Sequence, residues 1–142
     1  MTKKTQTVAQ EILNVIPLVI RKINTELRQK NFHTKKPTLS LAQYSILSIL
    51  SKDPCTQREL IVKQAVSPPS MSNSIRILVK NRWIQRNRER QDRRCVWLEL
   101  TAAGQKVLEE TDDNIEKIIA SLSVEECNQV QAGLAVLYKH FS

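Results

Sequence analysis

The sequence predicts a mainly α fold carrying one small β-hairpin, on three observations. Only two glycines, Gly104 and Gly133, occur in 142 residues, and all five prolines lie at or before Pro69, so the C-terminal half can run as uninterrupted helix. Apolar residues recur at helical spacing over most of the chain, and between Trp83 and Leu100 alone the period falls to two. A chain of this length fits one domain, 1–142, able to bury roughly two-thirds of the surface that its unfolded form exposes.

Taken in order, Val8, Ile12, Val15, Ile16, Val19, Ile20, Ile23 and Leu27 define a long first helix with one broad stripe expected to be buried. Pro17 lies inside it, and either kinks the helix or leaves its regular part to begin near Asn14. Ser40 and Gln43 have the spacing of a capping box and open a second helix over 41–51. Thr56 and Glu59 repeat the signal before a short third helix carrying Leu60 and Ile61. Ser67 is set as the N-cap of a fourth helix over 68–81, with Pro68 at the first helical position, where no N–H is needed.

On that fourth helix Met71, Ile75 and Leu78 share one face. Pro69, Asn73, Arg76 and Lys80 lie opposite, with Ser70 and Ser72 on the flanks. The hairpin follows: Ile84, Arg86 and Arg88 alternate with Trp83, Gln85 and Asn87, and after an arginine-dense tip Val96, Leu98 and Leu100 alternate with Cys95, Trp97 and Glu99. Thr101 caps a fifth helix bearing Leu108, Ile115, Ile118, Ile119 and Leu122. A capping box at Ser123 and Glu126 starts a sixth with Val130, Leu134, Leu137 and Phe141 as its stripe. Helix, turn, helix and hairpin in this order make a winged helix-turn-helix, whose second helix enters a major groove and whose hairpin tip reaches phosphates or the adjacent minor groove.

Charge points the same way. The formal net charge is +8, divided as +6 over 1–57, +7 over 58–94 and −5 over 95–142. An electropositive middle third suits a polyanion, nucleic acid before membrane, because no basic helix carries the exposed apolar face that insertion into a membrane surface needs. The acidic C-terminal segment can complement the basic N-terminal one within the chain or across a dimer. Gln10, Glu11 and Asn14 break the apolar run near the start, so it reads as an amphipathic helix of a cytoplasmic protein rather than a signal peptide. Cys55, Cys95 and Cys127 are odd in number and scattered, against a disulfide framework. His33 and His140 stand far apart, and no metal-ligand cluster, Gly-rich phosphate loop or nucleophile motif occurs, so neither a cofactor nor catalysis is expected.

The stretches LAQYSILSIL, SPPSMSNSIRILVKNRWIQR and, above all, DRRCVWLELTAAG resemble the MarR family of bacterial winged-helix regulators. The resemblance runs over about 39–108. It implies a homodimer joined by helical parts at 1–30 and 101–142, with the DNA-binding part at 39–100 reading two halves of a pseudopalindromic operator on double-stranded DNA, as a repressor released by a small-molecule effector. By the same resemblance Arg94 is the minor-groove arginine, Asp92 orients it, and Arg93 meets a phosphate. Asn73 carries the donor and acceptor that match adenine, and Arg76 suits guanine or a phosphate. Lys80, Arg86 and Arg88 suit backbone contacts, as do Ser70, Ser72 and the amides around Thr56 and Gln57, although the two serines read nearly as well as simply solvent-exposed.

Many family members answer to small aromatic or phenolic effectors, which by the resemblance sets Phe32, His33 and Tyr44 at the border of such a pocket, although a Tyr at helical spacing is more often plain core. Two residues depart from the family pattern. Arg82 stands where glycine is usual, so Asn81 is expected to take the left-handed turn conformation, and Asn73 stands where many members have arginine. The alternatives are a thiol-based redox-sensing regulator acting through Cys95 or Cys127, and a protein-interaction module without specific DNA binding.

Overall fold

The computed structural model describes residues 2–35, 38–64, 67–88 and 94–142. The elements run α1 (Lys3–Thr34), α2 (Leu41–Leu50), β1 (Cys55–Thr56), α3 (Gln57–Gln64), α4 (Pro68–Lys80), β2 (Ile84–Asn87), β3 (Trp97–Leu100), α5 (Ala102–Ile119) and α6 (Val124–Phe141). This is a winged helix-turn-helix, mainly α, with an antiparallel sheet in the order β1-β3-β2. Of the expected caps, Ser40 with Gln43 and Ser123 with Glu126 form complete capping boxes, and the Thr101 hydroxyl accepts from the Gly104 amide. Ser67 is the N-cap residue of α4, but its side chain makes no cap bond. Pro68 and Pro69 carry no N–H, and the Ser67 hydroxyl lies instead 3.0 Å from the Ser70 hydroxyl.

One core joins α2, α3, α4, the sheet and α5. Ile46, Leu47, Leu60, Met71, Ile75 and Leu78 are all buried within it. Each such side chain contributes about 1.5 to 3 kcal/mol on leaving water, so the three on α4 fix which way its opposite face looks.

The third strand corrects the expected two-stranded hairpin. Cys55 pairs with Leu98 and Thr56 with Trp97, on the edge of β3 away from β2. Two residues are too few to show a period of two. Thr56 serves both roles at once, pairing in the sheet while its hydroxyl accepts from the Glu59 amide at 3.2 Å and its amide donates to Glu59 at 3.3 Å.

The expected stripes lie along α1, α5 and α6, but within the single chain they are largely uncovered. Among the described side chains of α1 only Leu27 is buried, and Val8, Val15, Ile16, Val19 and Ile20 are exposed. α1 passes through Pro17 without ending, at the loss of the N–H that would bond the Leu13 carbonyl. On α5 the buried residues past the first turn are Leu108 and Thr111, and Leu122 falls beyond the helix end. α6 buries nothing. A single chain offers these faces no cover.

Candidate nucleic-acid interface

α4 turns Asn73, Arg76 and Lys80 outward, and all three are exposed. The Arg76 guanidinium donates through Nη2 to Oδ1 of Asn73 at 2.8 Å. One residue before Asn73, the Ser72 hydroxyl accepts from Nε2 of Gln57 at the start of α3 at 2.7 Å, tying the two helices of the motif to each other. Ser70 and Ser72, both exposed, therefore already have protein partners. The Gln57 contact was illegible in sequence, because a reach of fifteen residues depends on how α3 and α4 cross.

The base of α4 is held by backbone geometry. Arg82, not Asn81, adopts the left-handed conformation, with φ 61°, while Asn81 stays right-handed at φ −80°. The Arg82 amide bonds the Val79 carbonyl and the Trp83 amide bonds the Leu78 carbonyl. That is a Schellman ending, with Trp83 and Leu78 both buried in the same core. The motif needs its left-handed residue two places past the last helical one, so Asn81 stands one place too early.

This turn carries the wing. The Thr101 amide bonds the Trp83 carbonyl at 3.0 Å and the Thr101 hydroxyl donates to the Arg82 carbonyl at 2.7 Å. Gly104 packs against the same turn so closely that a Cβ there would lie 2.0 Å from the Trp83 oxygen. The Leu-Thr-x-x-Gly run is thus the clasp between reading helix, wing and α5. Within the wing, Glu99 accepts from Gln85 at 3.4 Å and from Asn87 at 3.0 Å, bracing β3 against β2.

Arg86, Arg88 and Arg94 are exposed on the wing, and Asp92 and Arg93 lie outside the described residues. Arg76, Lys80, Arg86 and Arg88 form no ion pair with the other described residues. Arg76 and Lys80 on α4, with Arg86 and Arg88 on the wing, thus present exposed basic groups suited to phosphates and base edges.

Of the expected effector residues, Tyr44 and Phe32 do not share the cleft beside Tyr44. Tyr44 is half-buried on α2, and its hydroxyl donates to Asp112 of α5. Burial first, then that hydrogen bond and the carboxylate's charge, push its pKa up to about 12. It borders a cleft with Ile20, Ser45, Ile49 and Lys63 that Phe32 does not line. Phe32 is 81% exposed at the end of α1, and the His33 side chain lies outside the described residues. Burial also raises the Cys55 pKa, partly offset by the Lys63 ammonium 3.6 Å from its sulfur. Among the described residues no cluster could hold a metal ion, and no helix is long and apolar enough to cross a membrane.

Residues 38–94 match the MarR family model. The chain is 32% identical over 92 residues to YpoP, an HTH-type transcriptional regulator of Bacillus subtilis (strain 168), covering 64% of this chain and 65% of that protein. It is 30% identical over 91 residues to the HTH-type transcriptional regulator BilQ of Clostridium symbiosum (strain WAL-14163), covering 61% and 63%. The matched stretch thus spans a little under two-thirds of both relatives. In fold it is similar to the transcriptional regulator BldR from Sulfolobus solfataricus, with a TM-score of 0.77 at 20% identity over 99% of this chain and 100% of that one. The reduced form of MarR from E. coli gives a TM-score of 0.67 at 21% identity over 90% and 94%. With the clasp, the three-stranded wing and the outward basic helix face in place, the chain is similar over residues 38–94 to the MarR family of winged helix-turn-helix regulators.

Proposed function

We propose that the chain is a sequence-specific transcriptional regulator, a repressor that binds a pseudopalindromic operator as a homodimer and is released by a small-molecule effector. The observation that carries this reading is the exposed basic face of α4 beside the basic wing. In each half-site α4 lies in the major groove, and Arg94 enters the neighbouring minor groove with Asp92 orienting it. Arg93, Lys80, Arg86 and Arg88 meet phosphates. The part at 39–100 reads DNA, and the helical parts at 1–30 and 101–142 join two copies. The apolar residues left exposed on α1 and α6 support that assembly, because an amphipathic helix without a partner surface gains little by folding alone.

The test is a fluorescence-anisotropy titration of the purified chain against DNA from immediately upstream of its own gene and against scrambled DNA, across a salt series. A preference of about a thousandfold or more, with affinity falling steeply in salt, is the expected result. Equal binding to both DNAs, or none, overturns the reading. In the same assay Arg94→Ala should cost about 1 to 3 kcal/mol per half-site, and affinity unchanged from wild type would remove the wing contact.

A further inference from the structure

We infer that Arg76 is a guanine-reading residue and that Asn73, instead of reading adenine itself, is the positioning residue that aims it. The inference rests on the DNA-binding reading above. A guanidinium has donors only, so the amide atom facing it must be the oxygen, and the 2.8 Å bond from Arg76 Nη2 to Asn73 Oδ1 has one direction.

The two residues stand three apart on the outward face of α4, where side chains at that spacing are neighbours. Arg76 has no ion pair among the described residues, so this amide is the group that selects its rotamer. One of five guanidinium donors is used. The others keep the planar fork that fits guanine O6 and N7. Asn73, by contrast, would have to turn both its amide atoms to adenine to read it in two-point fashion, and its oxygen already faces the arginine.

The attitude of the pair is set from outside it as well. The Gln57 to Ser72 bond at 2.7 Å anchors the residue next to Asn73 to α3, and Met71 and Ile75 on either side are buried. The backbone carrying the pair is therefore fixed before DNA arrives. An arginine aimed in advance loses less freedom on binding and discriminates more sharply.

Binding to a half-site library randomised at every position, followed by sequencing, tests this with wild type, Arg76→Ala, Asn73→Ala, Asn73→Asp and the Ala double variant. Wild type should prefer guanine at one position by ~5-fold to ~100-fold. Arg76→Ala should erase that preference, and Asn73→Ala should weaken it at the same position. The double variant should match Arg76→Ala alone. Asn73→Asp, which keeps an acceptor for the guanidinium, should retain the guanine preference while binding all DNA more weakly, because its charge faces phosphates.

Relaxation at a different position in Asn73→Ala would make Asn73 a direct reader and overturn the inference. So would a uniform loss of affinity with every base preference intact. Absence of any preference in wild type would instead remove the regulator reading, and the inference with it.

Discussion

At Gly104 a missing side chain decides whether three parts of the molecule meet. A Cβ there would lie 2.0 Å from the Trp83 oxygen and 2.7 Å from Leu100 Cδ1, and the first of these is backbone that cannot swing away. Gly104→Ala should therefore destabilise the chain by about 3 kcal/mol, the upper end for overpacking, which urea denaturation would measure. Loss of less than about 1 kcal/mol would mean that the clasp yields. Arg82 is the opposite case, a residue with a Cβ held at φ 61°, where such residues are strained by about 1 to 2 kcal/mol. Arg82→Gly relieves that strain while loosening the unfolded chain, so a net gain of up to about 1 kcal/mol is expected, read as a raised Tm.

Between elements, the Tyr44 to Asp112 bond fastens α2 to α5. The folded pKa of the phenol lies above its ordinary value of 10.0, so the folded chain prefers the protonated form. The stability this adds is fully present below pH 10 and is lost as pH rises through about 12. Tyr44→Phe should lose about 1 kcal/mol at neutral pH and should lack this part of the alkaline decline. Parallel stability curves for the two proteins from pH 9 to 12 would show that the buried phenol adds nothing to the alkaline decline. The capping boxes act at the same scale. They open α2 and α6 at the serines that the sequence marks, because a cap needs only residues three apart.

For the molecule as a whole, the chain has more apolar helix surface than it can cover. α6 buries no residue, and Leu134 in the middle of its stripe is 52% exposed. If a second copy covers that stripe, Leu134→Asp should turn a dimer into a monomer in sedimentation velocity and cost at least about tenfold in operator affinity, since paired half-sites need paired wings. If the chain is a monomer, the same change on an exposed surface leaves both mass and stability as they were.

Sequence by itself determined what depends on near neighbours along the chain. It marked the helices and most of their caps, the apolar face of α4 with Met71, Ile75 and Leu78, the period-two wing strands, and the outward set Asn73, Arg76 and Lys80, because periodicity and capping act over a few residues. Tertiary structure alone decided what joins distant residues. It added Cys55–Thr56 as a third strand on β3, bound Gln57 to Ser72, turned the Asn73 amide toward Arg76, gave the left-handed turn to Arg82 instead of Asn81, and left the stripes of α1 and α6 uncovered. The physical reason is range. A helix or a cap is selected by contacts within one or two turns, whereas a pairing edge, a cross-helix bond or a covered face exists only where the fold brings its partner.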